Sequence, residues 1–309
     1  MLDKILVSCQ YVMDHAEHVQ ICYDKLNDFI QTIELEKLNP WLSNNPYDLF
    51  SLDIEMLINF MLLYESINYS FWGNPKWTIN TEEGLKDGSD ALLYCLLSYV
   101  KKTKSTDFSK MKLTEFQEIV KGNITIPLLE QRYDTLVENS KIINTKMRGN
   151  FYQYIFNVVD DRELFSIIIE NFPSFQDKRD YHGQEIYFYK LAQLLVNDIL
   201  YFRKRLENIE VDCSHLLGCA DYKIPQTLRA LGIIKYDYEL TNLVDNKQEL
   251  AISSDYEIEI RASVLVTIQY IKKQLPSAYL ININDYLYGF SKNVKNMVKP
   301  YHLCRNTNY

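Results

Sequence analysis

The chain has 309 residues, 47% of them hydrophobic, 24% charged and 13% aromatic, a balance that excludes collagen-like, linker-rich and intrinsically disordered proteins and leaves a globular chain with a large core. Glycine (9) and proline (8) are scarce, which favours helices over turn-rich sandwiches and barrels. The formal charge of −8 repels a polyanion at long range, so nucleic acid is not an expected partner and any phosphate must be met locally.

In chain order, Met56 to Tyr64, Asp90 to Val100 and Thr114 to Lys121 read as helices, followed by Leu128 to Asn139 with Pro127 at a first-turn position. Asp160 and Glu163 open a short helix with a capping box, and Pro173 stops it. From Phe188 to Phe202 the apolar residues Phe188, Leu191, Ala192, Leu195, Ile199 and Phe202 recur at helical spacing, with Lys190, Gln193 and Asn197 on the polar face. Ser254 and Glu257 form a second box before Ile260 to Leu275, where β-branched residues leave a strand open as the alternative. Strand candidates are few and short, at 124–126 and 279–282. No linker, low-complexity tract or repeat interrupts the chain. The expected architecture is therefore all-α, a dozen or more helices forming one unit over residues 1–309, with few or no strands.

Binding and catalysis concentrate where polar and aromatic residues gather at helix breaks. Phe71-Trp72-Gly73-Asn74-Pro75-Lys76-Trp77 breaks a helix and is expected to expose two indoles able to stack on a planar ring, unless they only anchor the loop. Phe172-Pro173-Ser174-Phe175-Gln176-Asp177 is a terminating turn that ends in a carboxylate. Lys190 and Gln193 share one helix face. Ala220-Asp221-Tyr222-Lys223-Ile224-Pro225-Gln226 places Asp221 at a helix end, where an N-cap is the plain alternative. In Glu257-Ile-Glu259-Ile-Arg261 the capping box accounts for Glu257 and leaves Glu259 and Arg261 as candidates. Asn284-Asp285-Tyr286-Leu287-Tyr288 follows, then a C-terminal stretch with Lys292, Lys295, Lys299, His302 and Arg305 and no acid, suited to a phosphate.

Dinucleotide, P-loop, zincin and serine-hydrolase motifs are all missing from the sequence. The six cysteines contain no C-x-x-C pair and the five histidines no ligand-spaced pair on a helix, so no metal or cofactor is indicated and the thiols read as reduced, in a cytoplasmic protein. No run of 18 uncharged apolar residues and no signal-peptide pattern occurs, so no membrane association is expected. Carboxylates, aromatics and a few cations remain, a set that fits hydrolysis through a cationic transition state.

These motifs, with His18-Val-Gln-Ile, Ile126-Pro-Leu-Leu-Glu-Gln-Arg132, Leu231-Gly-Ile-Ile-Lys-Tyr236 and Pro300-Tyr-His302, occur in an order that resembles the queuosine salvage proteins, the queuosine 5′-phosphate N-glycosylase/hydrolase family. The resemblance implies an all-α protein similar to helical DNA glycosylases. It also implies metal-independent release of queuine, a 7-deazaguanine base, from queuosine 5′-monophosphate, with salvage of the base for tRNA modification.

In that setting Asp221 is the expected carboxylate beneath the ribose, and Asp285 and Glu259 are candidates for assisting or reading the base. Trp72, Phe175, Tyr222 and Tyr236 are candidates to sandwich it. Lys190, Arg261 and His302 are expected to meet the 5′-phosphate, and His18 and Asp177 the cyclopentenediol arm, with Gln193 and Gln226 as further substrate-binding candidates. Two other readings stay open, a DNA-base glycosylase and a non-catalytic 7-deazapurine-binding protein; the acidic charge opposes the first.

Overall fold

The structure is a computed structural model that describes residues 2–38, 42, 47–293 and 299–309. Helices dominate, as the composition predicts. The first elements are α1 (Leu2–His15), β1 (Val19–Ile21), α2 (Tyr23–Ile30) and α3 (Ile54–Glu65). A hairpin of β2 (Thr78–Thr81) and β3 (Gly84–Asp87) leads into α4 (Gly88–Thr103), α5 (Leu113–Ile119) and α6 (Leu129–Lys146). The short α7 (Phe151–Tyr154) and α8 (Asp161–Asn171) precede a second hairpin, β4 (Lys178–Tyr181) with β5 (Gln184–Tyr187). After it come α9 (Lys190–Glu207), α10 (Lys223–Ala230), β6 (Ile234–Tyr236), α11 (Tyr238–Asp245), α12 (Asp255–Gln274) and α13 (Leu280–Asn293).

Local chemistry sets several of these boundaries. One Asp160 carboxylate oxygen accepts the backbone N–H groups of Arg162 and Glu163, each at 3.0 Å, which opens α8. Ser254 Oγ accepts from Glu257 N at 3.3 Å while Glu257 Oε2 reaches back to Ser253 N at 2.8 Å, which opens α12. The β-branched run after it is therefore helix, not strand. The two expected strands do not form: residues 124–126 are an irregular connector, and 280–282 begin α13. The hairpin strands β2 to β5 are mostly polar four-residue arms whose pairing rests on their turns. At His182-Gly183 both residues take positive φ (51° and 81°), the conformation of a two-residue hairpin turn. β1 and β6 pair antiparallel and clasp residues far apart in sequence, with Val19 opposite Tyr236.

α12 lies at the centre. Every residue from Glu257 to Thr267 is buried, with α1 packed against one side and α13 and α10 against another. A helix buried all round is normally apolar, yet this one carries Glu257, Glu259 and Arg261, so each must find partners inside the protein. Arg261 donates to Asp177 Oδ2 at 2.6 Å and Oδ1 at 3.0 Å, to Glu257 Oε1 at 3.3 Å and to the Ala220 carbonyl at 3.0 Å. Its guanidinium lies 4.0 Å from the ring centre of Phe188 and 4.3 Å from that of Tyr309. Arg179 closes the cluster, bridging Asp177 at 3.3 Å and Glu257 at 3.2 Å, so two cations balance two carboxylates. Arg261→Leu lowers the unfolding free energy by about 3–5 kcal/mol, the usual consequence of removing one member of a buried ionic cluster; urea denaturation checks this, and Arg261→Lys recovers only part of the loss because it cannot bridge the same groups.

Candidate active site

A cavity of about 300 Å³ opens where α3, α4, α9, α10 and α13 converge, within the range, roughly 300–1,000 Å³, that holds small-molecule ligands. The segment after α3 supplies Asn68, Tyr69, Phe71, Trp72, Lys76 and Trp77, and the start of α4 supplies Asp87 to Asp90. α9 contributes Lys190 and Leu194, and the start of α10 contributes Cys219 and Asp221 to Ile224. Asn284, Asp285 and Tyr288 come from α13, and Tyr301 and Tyr309 from the C-terminal segment.

Asp221 sits just ahead of α10. Its Oδ1 accepts the backbone N–H of Lys223 at 2.8 Å and of Ile224 at 3.0 Å, the capping geometry expected at a helix end. Among the described residues no donor reaches its Oδ2. Burial pushes the carboxyl above its ordinary range, opposed chiefly by the positive charge of Lys190 and then by the two N–H groups. The backbone leading to Asp221 is pinned from three sides. Gln193 Oε1 accepts Leu217 N at 2.8 Å and Gly218 N at 3.2 Å, Asn284 Oδ1 accepts Cys219 N at 2.7 Å, and Arg261 holds the Ala220 carbonyl. Gly218, at φ 129°, passes so close to α12 and α13 that a Cβ there would stand 3.0 Å from Ile268 Cδ1.

Lys190 begins α9 and is buried; its Nζ donates to the Asn68 carbonyl at 3.2 Å. On the opposite wall Tyr222 and Tyr301 stand 5.0 Å apart, with Lys223 Nζ 4.6 Å from the Tyr301 ring centre. Trp72 is 4% exposed, not open on a loop surface, because its ring is covered by the Arg305 guanidinium at 3.9 Å. Trp77 is buried as an anchor and donates to the Val120 carbonyl at 3.2 Å. Asp285 Oδ1 accepts from Asn284 Nδ2 at 3.1 Å.

Of the candidates read from the sequence, Asp221, Asp285, Trp72, Lys190 and Tyr222 are brought together on this cavity. The others lie elsewhere. Asp177 and Arg261 are spent on each other. Gln193 holds backbone, and Phe175 is 1% exposed in the core. Glu259 accepts the N–H groups of Glu17, His18 and Val19 at 2.8–3.1 Å and the Tyr181 hydroxyl at 3.0 Å, fixing the start of β1. His18 pairs with Asp237 at 2.7 Å beside β6, where Tyr236 stacks under Arg229 at 4.8 Å. Gln226 Nε2 donates to the Lys299 carbonyl. His302 is not a cation here: burial, with Arg261 nearby, lowers its pKa to about 3, and its Nε2 lies 3.3 Å from the Tyr309 hydroxyl. Lys295 and the side chain of Lys292 lie outside the described residues. Lys223, Tyr301 and Tyr309 lie in or beside motifs read from the sequence but were given no role, and Asn68, Asp87 and Asp90 were not singled out, since nothing local marks a residue that reaches the cavity through tertiary packing.

Among the described residues one group has metal-ligand spacing, Asp160, Asp212 and His215. It lies at the start of α8 and does not line the cavity. No described helix is long and apolar enough to cross a membrane.

A helical protein whose cavity combines a half-anchored carboxylate, lysines and aromatic walls belongs to the class that binds and acts on small polar aromatic ligands. The queuosine salvage protein model matches residues 50–309, and the chain belongs to that family. Relatives named queuosine 5′-phosphate N-glycosylase/hydrolase include one from Sphaerobacter thermophilus, 28% identical over 280 residues, covering 88% of this chain and 86% of the relative. One from Bos taurus is 28% identical over 229 residues (71% and 67%), and one from Dictyostelium discoideum 23% over 317 residues (94% of each).

Because Lys190 is the main influence holding the Asp221 pKa down against burial, Lys190→Met moves the Asp221 titration upward. Carboxyl NMR of specifically labelled protein reads this directly; an unmoved titration would show that the two groups are not coupled.

Proposed function

We propose that this chain hydrolyses the N-glycosidic bond of queuosine 5′-monophosphate, releasing queuine and ribose 5-phosphate for salvage into tRNA modification. The observation that carries this reading is Asp221, a partly buried carboxylate with one oxygen fixed by two backbone N–H groups, in an aromatic cavity of a queuosine salvage family member.

Cleaving a ribose–nitrogen bond builds positive charge on C1′ and O4′. A fixed anion beneath the sugar stabilises that charge without reorganising, and its second oxygen orients the attacking water toward C1′. The water oxygen bonds to C1′ and the C1′–N9 electron pair leaves with the base; one water proton passes to Asp221, an equivalent proton reaches the departing base, and the other water proton stays on the new C1′ hydroxyl. A 7-deazapurine has no N7 to protonate, so assistance has to come at the ring edge, the role assigned to Asp285. Trp72 and Tyr222, joined by Tyr301 opposite it, supply faces for the base. Lys190, with Lys76 and Lys223 on the same cavity, provides the local positive charge that a 5′-phosphate needs in a protein of charge −8. The substrate-binding parts first assigned to Arg261, Asp177, Gln193 and Glu259 become positioning parts. No metal is assigned a role. The six unpaired thiols suit a cytoplasmic setting.

Incubation with queuosine 5′-monophosphate in EDTA, followed by mass spectrometry, is expected to yield queuine and ribose 5-phosphate; binding without cleavage would support a carrier instead. Asp221→Asn is expected to lower kcat by roughly 10²–10³-fold or more while queuine still binds by calorimetry. Asp221 must be ionised to act, and burial raises its pKa. Turnover therefore falls on the acid side at a pH above the ordinary carboxylate range, a limb that a kcat–pH profile resolves.

A further inference from the structure

Below the cavity, α9 runs along α3, and its residues Lys190, Leu194 and Asp198 are spaced four apart on one stripe. Lys190 and Leu194 line the cavity. Asp198, two turns down, is fully buried, as is Glu65 at the end of α3. The Asp198 carboxyl acts directly on that of Glu65, lowering its pKa against the effect of burial. Glu65 Oε2 also accepts Asn68 Nδ2 at 2.9 Å, and the Asn68 carbonyl in turn accepts Lys190 Nζ at 3.2 Å. Glu65 Oε1 receives no N–H or O–H from any nitrogen donor or hydroxyl among the described residues. Two carboxylate oxygens cannot bond each other without a proton between them.

We propose that Glu65 and Asp198 share one proton, and that the single negative charge left on the pair is the counter-charge that balances buried Lys190 and keeps it aimed at the cavity through Asn68. They are positioning residues for Lys190, and this rests on the functional reading above. The charge balance gives the reason. Glu65 and Asp221 both act on Lys190, and Asp198 adds a third carboxyl beside Glu65; with all three ionised the buried net charge would be strongly unfavourable. With one shared proton, Lys190 is neutralised from below and the charge of Asp221 stays available to the sugar cation. The other ionisable groups facing the pair are Tyr64 beside it and Cys219 ahead of α10, with Asp221 beyond Lys190; burial keeps Tyr64 and Cys219 protonated. Burial likewise holds the Glu65 carboxyl above the ordinary range, opposed chiefly by Lys190. The group binds its proton more tightly folded than unfolded. Its contribution to stability is therefore complete at acid pH and is lost as pH rises through the folded pKa, where the second negative charge on the pair draws Lys190 away from the cavity and kcat/KM declines.

The first test does not depend on activity. Infrared spectroscopy of the whole protein near neutral pH is expected to show a buried protonated-carboxyl C=O band that disappears in Glu65→Gln. Absence of the band in the wild type, or its survival in both Glu65→Gln and Asp198→Asn, overturns the shared proton. The second test is kinetic. Glu65→Gln supplies a permanent donor to Asp198, so its kcat/KM–pH profile loses the alkaline limb. Glu65→Gln/Asp198→Asn removes the counter-charge, and KM for queuosine 5′-monophosphate rises roughly tenfold or more with a smaller change in kcat. A wild-type profile in Glu65→Gln, or a wild-type KM in the folded double variant, overturns the positioning role. Should the wild type not cleave queuosine 5′-monophosphate at all, the infrared result still stands or falls by itself.

Discussion

The guanidinium of Arg261 has no exposed surface, and its charge has to be met within the protein because an unpaired buried ion costs several kcal/mol. The groups that meet it come from four parts of the chain that are far apart in sequence. Asp177 ends the turn after α8, and its Oδ2 also accepts the first backbone N–H of α9 at 3.4 Å, on Lys190 itself. The Ala220 carbonyl lies one residue before Asp221. Phe188 precedes α9, and Tyr309 is part of the cavity wall. Satisfying one cation therefore fixes the Lys190 backbone, the approach to Asp221 and one side of the pocket relative to α12. A displacement at any of these would leave a buried charge or carbonyl unmet, so the site inherits the rigidity of the core.

A second buried arginine repeats this logic without an acid. Arg132, on α6, donates to the carbonyls of Ile67, Tyr69, Ser70 and Pro127 and lies between the rings of Tyr69 and Phe71 at 4.4 and 4.5 Å. Burial without a carboxylate partner lowers its pKa to about 10. The segment it grips contains Asn68 and leads to Trp72, so the irregular wall of the cavity, which has no ladder hydrogen bonds of its own, is held by a side chain in their place. Ser70 extends this tie, its backbone N–H donating to the Tyr309 carbonyl at 2.9 Å.

Much of the helical framework was legible because its signals are local. Asp160 and Ser254 announce α8 and α12 through their caps, and the three-four spacing after Phe188 announces α9. The hairpins were not legible: Gln184–Tyr187 and Gly84–Asp87 are short and mostly polar, so no alternation marks them. Within the site, the segments were found more reliably than the roles. Asp177, Gln193, Glu259 and Arg261 read as ligand contacts because each lies in a polar motif of the ordered series that carries the family resemblance. The structure gives them a different role, since each satisfies buried backbone or charge. Burial state is a tertiary fact, and neither spacing nor residue type discloses whether a carboxylate faces a ligand or another side chain. Glu65 and Asp198 were overlooked for a related reason: each lies inside a helix pattern, and only the packing of α3 on α9 brings them together.

The same packing explains how an acidic protein accommodates an anionic ligand. Long-range potential opposes a phosphate, yet Lys76, Lys190 and Lys223 gather on one cavity of about 300 Å³, where desolvation strengthens each interaction over its value in water. A buried lysine in such a place needs a counter-charge. Lys190 has one in its position at the top of a helix stripe whose lower end carries Asp198, with Glu65 of α3 as the second carboxyl of the pair. Distance also matters, because Asp221 influences Lys190 without forming a close ion pair with it. A direct salt bridge would neutralise the very anion that a developing ribosyl cation needs. Placing the counter-charge away from Asp221, on the pair linked to Lys190 through Asn68, balances the lysine without spending the aspartate, so the two opposite charges can serve different ends of one substrate.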